Sequence, residues 1–376
     1  MKRIFCITIS ILLTLSTVGC NSREAIKAPV ETRFERYIEP YCKNNGFSGS
    51  ILISDKGNVV FKKGYGMADY EKSVPNETGT QFRIASITKQ FTAMCIMILQ
   101  EKGLVDVNDK VDRFIPDYPN GCEISIHDLL AMSSGITNDI PGILPQYDFA
   151  SGTYTNHGKP TRKDEYFTPS DMINLFKNKP LNFKPGEKFK YSNSNYIILG
   201  YIIEKISNMS YEDFVKKNIF IPLDMKNSGY ENNKVHPSVA VGYDKLSPEP
   251  VRTISYNMSI FFSCGGLYST VEDLYKWDQA LYTERLVKSE TMAKVFKPYT
   301  RMKDYPYHSY GYGWVVNELS KKPQVEHDGT LPGYCSFIIH AEDTKRTIIV
   351  LCNNTDFTPR IHDFCTGFFS ILNGLQ

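Results

Sequence analysis

The chain has 376 residues, 41% of them hydrophobic and 13% aromatic, with 43 Lys and Arg against 41 Asp and Glu for a formal net charge of +2. That is enough apolar material for one large domain or two closely joined lobes, and the near-neutral balance, without a basic patch interleaved with aromatics, argues against a nucleic-acid partner. No H-E-x-x-H or C-x-x-C spacing occurs among its 7 histidines and 9 cysteines, so a metal-dependent hydrolase is disfavoured and no cofactor is expected.

The N-terminus carries Lys2 and Arg3, an apolar stretch from Ile4 to Leu15, and small residues closing on Gly19-Cys20. This pattern predicts an export signal over 1–19 rather than a fold element. Its end is similar to a bacterial lipoprotein signal, in which such a cysteine is lipidated and becomes the mature N-terminus. Thr17 departs from that pattern, where a branched or leucine-like residue is usual, and ordinary cleavage and secretion is the alternative. Residues 20–30 then form a polar tether. No later stretch is apolar for long enough to span a bilayer, so any membrane attachment rests on lipidation of Cys20. Export leaves seven further cysteines: Cys42, Cys95, Cys122, Cys264, Cys335, Cys352 and Cys365. An odd number cannot pair fully within the chain, and those in apolar runs, such as Cys95 and Cys352, read as buried thiols.

Glu31 to Cys42 predicts a helix, and Gly49–Ser54 and Val59–Gly64, joined through Asp55-Lys56-Gly57-Asn58, predict a hairpin. Next comes Phe82-Arg83-Ile84-Ala85-Ser86-Ile87-Thr88-Lys89-Gln90-Phe91. Phe91, Met94, Cys95 and Ile98 repeat at the interval of a helix buried along one stripe, which places Ser86 and Lys89 on one face of its first turn. Unpaired N–H groups and the positive end of the helix dipole favour negative charge on the hydroxyl there. The same dipole, with burial, lowers the pKa of Lys89, so the pair reads as a serine nucleophile with a lysine base. An N-cap serine followed by a solvent-facing lysine is the plain alternative.

After Val107–Phe114 and a short helix at Ile126–Met132, the stretch Asn138–Thr168 has little periodicity and reads as a functional lid or a disordered insert. Helices follow at Pro169–Lys177, Ser194–Ile206 and Tyr211–Phe220. Tyr191 and Asn193 stand two apart just before the second of these, which alone would be a capped helix start. Ser263–Ser269 suggests a tight glycine approach and Val271–Leu281 an amphipathic helix. Strands are expected at Gly311–Val316, Tyr334–His340 and Thr347–Cys352, and a last helix at Pro359–Leu372. His327 and Gly329 lie beside these strands in a segment that could be a turn. Strands at both ends with helices between predict an α+β fold, an antiparallel sheet flanked by helices. Residues 31–376 are expected to form a single domain, with a sheet lobe over about 31–81 and 256–376 and an inserted helical lobe over about 82–255, and to be the catalytic one if Ser86 is a nucleophile.

Ser86-x-x-Lys89, Tyr191-x-Asn193 and His327-x-Gly329, in this order and at these separations, resemble the motifs of the penicillin-recognising serine hydrolases. The likeness is greatest to the class C β-lactamase and D-alanyl-D-alanine carboxypeptidase branch. It spans nearly all the mature chain, including the early hairpin, the Ser263–Leu267 segment and Pro332-Gly333-Tyr334.

The resemblance implies a β-lactamase/transpeptidase-like fold and a small-molecule or peptidoglycan-peptide substrate. By the same likeness Ser86 forms an acyl-enzyme, Lys89 accepts its proton, and Tyr191 relays that proton and activates water. A phenol of pKa about 10 needs a neighbouring cation for this, which Lys89 can supply. Asn193 and His327 are expected to bind substrate. The backbone N–H groups of Ser86 and Thr330 make the oxyanion hole, and Gly329 lets the strand approach the substrate. Where many β-lactamases have lysine, His327 is largely neutral above its pKa of about 6.5, and Asp328 adds a negative charge; both weaken the case for an efficient β-lactamase. A carboxylesterase using the same residues, and a non-catalytic wall-peptide or β-lactam binder in the envelope, are the rival readings.

Overall fold

The computed structural model describes residues 28–138, 166–231, 239–254, 256–319 and 324–375, together with the backbone of 146–148 and 153–155. The export signal, Cys20 and most of the 138–168 stretch lie outside the described residues. Helix α1, Val30–Asn44, buries Phe34 and Ile38. Strands β1 (Gly49–Asp55) and β2 (Asn58–Tyr65) make the hairpin. Its two central residues, Lys56 and Gly57, have φ of 53° and 76°, the left-handed pair whose twist matches that of the flanking strands.

The chain then leaves the sheet for a run of helices: α2 (Thr88–Glu101), α3 (Ile126–Leu130), α4 (Pro169–Phe176), α5 (Asn193–Ser207), α6 (Tyr211–Val215), α7 (Val271–Ala280) and α8 (Ser289–Val295). It returns through β3 (Thr300–Arg301), β4 (His308–Tyr310), β5 (Val315–Asn317), β6 (Gln324–Leu331), β7 (Tyr334–Ala341) and β8 (Arg346–Cys352), and ends in α9 (Ile361–Leu372). The main sheet is antiparallel, in the order β3-β4-β5-β6-β7-β8-β1-β2, so the first hairpin is joined edge-on to the last strand.

Side chains alternate across the strands, and each face has its own core. Ile51, Ile53, Ile339, Ile348 and Val350 pack with α1 and α9 through Phe34, Phe364 and Phe368. On the other face Leu52, Ile338, Ile349 and Leu351 meet the larger cluster built by α2, α5 and α7. The expected α+β architecture is present.

Three local expectations change. Helix α2 is buried all round from Thr88 to Leu99, not along one stripe, because it runs through the middle of that larger cluster. Its polar residues are therefore paired inside: Thr92 Oγ1 donates to the Ser263 carbonyl at 2.7 Å, and Gln90 accepts from Trp277 at 3.0 Å. Of the expected strand at 311–316 only Val315 and Val316 lie in a strand, the start of β5; residues 311–314 form the turn from β4, where Gly313, at φ 78°, crosses the backbone of Lys89 and a Cβ would lie 2.8 Å from the Lys89 carbonyl. Finally, His327 and Gly329 lie within strand β6 and not in a turn.

Candidate active site

Strand pairing of Phe82-Arg83 with Tyr268-Ser269 delivers the chain to the start of α2. There it reverses sharply: Ala85 sits at φ 48°, a left-handed conformation that costs an L-residue about 1–3 kcal/mol, and a 3-10 turn over Ala85–Ile87 carries Ser86 into the helix. The turn is held against β6 and β7. Ser336 Oγ donates to the Ile84 carbonyl at 2.9 Å, and Gly329 passes so near that an added Cβ would lie 2.6 Å from the same oxygen and 3.0 Å from Ala85 Cβ. A side chain at 329 would force strand and nucleophile turn apart.

Lys89, one helical turn on, is completely buried and its ammonium is ringed by neutral acceptors: Ser86 Oγ at 3.0 Å, Asn193 Oδ1 at 2.7 Å and the Cys264 carbonyl at 2.8 Å. None of the three is a carboxylate. Burial lowers its pKa from 10.5 to about 8, with Cys264 and Asp328 pulling weakly the other way. Lys89 thus loses a proton near neutrality while its three acceptors hold Nζ in place.

Tyr191 Oη lies 2.8 Å from Ser86 Oγ, and its ring is 4.8 Å from Lys89 Nζ. Here a sequence expectation needs correcting. Lys89 does not make Tyr191 acidic: burial raises the phenol well above 10, because a phenolate there would lose its hydration. Tyr191 is a protonated hydroxyl able to donate and accept at once. Asn193, the first residue of α5, is fixed from two sides. Its Oδ1 accepts from Lys89, and its backbone N–H donates to Asn138 Oδ1 at 2.9 Å.

The third motif departs further from expectation. His327 is 2% exposed, and both ring nitrogens are occupied within the protein. Nδ1 is 2.6 Å from the Asp328 carbonyl, which can only accept, so Nδ1 carries the hydrogen and Nε2 accepts from Tyr310 Oη at 2.9 Å. Burial lowers its pKa. A neutral imidazole with no free nitrogen is not a ready partner for a substrate carboxylate. Gly329 and Thr330 lie on the part of β6 that runs past the last pairing with β5, at Glu326, so this edge of the strand is left open beside Ser86.

The sequence motifs thus converge: Ser86, Lys89, Tyr191 and Asn193 form one hydrogen-bonded group, with Gly329 packed on it and Thr330 the next residue. Three contributors were not singled out by sequence reasoning. The Cys264 carbonyl reaches Lys89 from far along the chain; the glycine-rich Ser263–Ser269 run marked the place but not the contact. Tyr310 and Asn138 carried no signal.

A Ser-Lys-Tyr group built on a buried lysine, beside an antiparallel sheet with this strand order, defines the class, and residues 34–363 match the Beta-lactamase family. The chain belongs to that family of serine hydrolases. It is 29% identical to a penicillin-binding protein of Bacillus subtilis (strain 168), over 90% of this chain and 73% of the relative. It is 31% identical to protein flp of Staphylococcus aureus (strain MRSA252), over 83% of this chain and 60% of that one. Among solved structures, the octameric penicillin-binding protein homologue from Pyrococcus abyssi is 31% identical, with a TM-score of 0.78 over 91% of this chain and 77% of that one. The D-amino acid amidase of Ochrobactrum anthropi SV3, at 21% identity and a TM-score of 0.73 over 94% of this chain and 98% of that one, shares the fold.

Proposed function

We propose that this protein is a cell-envelope hydrolase that forms an acyl-enzyme on Ser86 from D-amino-acid peptide or amide bonds, with penicillin binding as a side effect of substrate mimicry. The observation that carries this reading is the Lys89 ammonium, 3.0 Å from the serine hydroxyl and held only by neutral acceptors. As Oγ attacks the carbonyl carbon, neutral Lys89 takes its proton. Tyr191, bonded to Oγ, passes its own proton to the leaving nitrogen and takes the one held by Lys89 in its place; in the second half the same groups remove a proton from water and return it to Oγ. The backbone N–H groups of Ser86 and Thr330 stabilise the oxyanion, and the Asn193 amide, its oxygen turned to Lys89, binds a substrate carbonyl through Nδ2. Residues 82–255 and the sheet flank this cleft as two lobes.

Attachment to the envelope is proposed through a lipid on Cys20. It is tested by the mass of the mature N-terminus from membrane fractions; an unmodified N-terminus at another residue overturns it.

The first test of the activity is intact-protein mass spectrometry with a fluorescent penicillin, comparing the native chain with Ser86→Ala over time. A lasting adduct that needs Ser86 supports a penicillin-binding peptidase, and a transient one supports β-lactamase turnover. The neutral, fully bonded His327 favours a second reading, a carboxylesterase using the same residues. Absence of any adduct, with Ser86-dependent ester cleavage, would move the assignment there.

A further inference from the structure

Granted the Ser86 hydrolase reading above, the two N–H groups that receive the oxyanion come from separate parts of the chain, Ser86 from the nucleophile turn and Thr330 from strand β6. Catalysis needs them at a fixed spacing and direction. One buried side chain touches both parts.

Ser336 lies on β7 directly opposite Gly329 of β6. Its strand neighbours Cys335 and Phe337 face the smaller core with α1 and α9, so Ser336 faces the other way, in a row with the apolar Leu351 of β8. It is 1% exposed, and a hydroxyl buried beside apolar side chains is unfavourable unless it is bonded. This one is bonded to backbone. Its Oγ donates to the Ile84 carbonyl at 2.9 Å, and the Gly329 carbonyl lies 3.4 Å from the same oxygen.

These two carbonyls adjoin the two oxyanion donors. The Gly329 carbonyl belongs to the same planar peptide group as the Thr330 N–H, so holding the oxygen sets the direction of that N–H. The Ile84 carbonyl stands one peptide before the Ser86 N–H, separated from it only by the dihedrals of Ala85, which is held at φ 48°. Ile84 has two other backbone bonds: its N–H donates to the Leu267 carbonyl at 3.0 Å, and its carbonyl accepts from the Ile87 N–H at 3.2 Å. Neither reaches β6. The missing side chain at Gly329 is what admits the hydroxyl, since a Cβ there would lie 2.4 Å from Ser336 Oγ.

We propose that Ser336 is a positioning residue that sets the spacing of the two oxyanion-binding N–H groups, acting through the peptide groups beside them and not by touching substrate. Loss of one such donor costs about 100- to 1,000-fold in turnover, and a small displacement of the pair is expected to cost roughly ten- to a hundredfold.

The test compares, on the full chain, the p-nitrophenyl ester of N-acetyl-D-alanine with its thionoester, in which sulfur replaces the carbonyl oxygen. Sulfur is a weak hydrogen-bond acceptor, so the thionoester draws little on the two N–H groups. Ser336→Ala should lower kcat/KM for the ester roughly ten- to a hundredfold and for the thionoester by no more than about threefold, narrowing the ratio between them. The ratio is read within each variant, so a loss of folded protein does not mimic the effect. Ser50→Ala is the control. Ser50 is a buried serine in the same row of the sheet, paired with Leu351 from the other side, and its hydroxyl donates to the Glu77 carbonyl at 2.7 Å. Its removal should leave the ratio native. A Ser336→Ala ratio within twofold of native, or an equal narrowing in Ser50→Ala, overturns the inference while Ser86-dependent cleavage leaves the hydrolase reading standing. If the native chain cleaves neither ester in a Ser86-dependent way, the hydrolase reading itself falls, and the assignment of Ser336 falls with it.

Discussion

Two buried polar groups stand on the large-core side of the sheet, and they are built on opposite principles. Around Lys89 a cation meets only neutral acceptors. Around Asp278 an acid meets only donors: His340 Nδ1 at 2.8 Å, Thr347 Oγ1 at 2.5 Å and Gln279 Nε2 at 2.8 Å. By residue type the second group, with an acid, a histidine and a hydroxyl, looks more like a hydrolytic triad. Its geometry denies this. Both histidine and threonine point at the acid, so no base reaches the hydroxyl, and Tyr282, Phe296 and Trp314 ring the imidazole. A proton there is already where it is best held. Near Lys89 the ammonium has no counter-charge in contact with it, so the proton can leave. Chemistry is expected where the charge is under-compensated, and stability where it is matched.

The largest effect that distinguishes the groups is on turnover. Ser86→Ala should reduce kcat on the order of a million-fold, in steady-state assays on an ester or amide substrate, while leaving the thermal midpoint close to native. A residue of comparable importance in the Asp278 group would break the comparison.

Lys89→Arg comes next. A guanidinium does not lose its proton in this range, so kcat/KM should fall roughly 100- to 10,000-fold although the positive charge is kept. In the native protein kcat/KM should rise with pH and level off above about 8, since Lys89 below that value already carries the proton it must accept. The same shift acts on stability. Between about 8 and the ordinary lysine value of 10.5 the unfolded chain binds more protons than the folded one, so its unfolding free energy rises with pH. A flat rate profile across pH 7 to 9 would show that Lys89 is not the base.

For the matched group the order reverses. Asp278→Ala strips the buried His340 and Thr347, and the half-buried Gln279, of their acceptor, and the expected cost is about 3–5 kcal/mol in urea unfolding. The specific activity of the molecules that remain folded should be unchanged. Loss of activity in excess of the loss of folded protein would tie this cluster to catalysis.

How far each group was legible in the sequence follows from the range of its contacts. Ser86 and Lys89 are three residues apart and announce a shared helical face; Tyr191 and Asn193 announce a helix start; the order of the motifs carried the fold. The sheet's hairpin and its closing strands were equally local. What the sequence did not disclose was set by partners far along the chain. The Cys264 carbonyl reaches Lys89 and Asp278 reaches His340 and Thr347 only once the sheet has closed. Alanine gives no sign of the left-handed turn at Ala85, since the strain there is imposed by packing against Gly329. His327 was read from its residue type as a group facing substrate, whereas its role is set by Tyr310, a neighbour two strands away.

That histidine is the case between the two groups, and Tyr310→Phe decides to which it belongs. The substitution keeps the ring that packs against Tyr191 and removes only the hydroxyl, leaving His327 Nε2 as a buried acceptor without a donor. If the pair is structural, stability should fall by about 1–3 kcal/mol with an unchanged denaturant slope, and kcat/KM on a neutral ester should fall less than tenfold. The freed nitrogen should also become easier to protonate, visible as an upward shift of the His327 titration followed by NMR. A loss of turnover as deep as that of Lys89→Arg, with stability intact, would instead place the Tyr310–His327 pair with the under-compensated group, as part of the path along which the Ser86 proton moves.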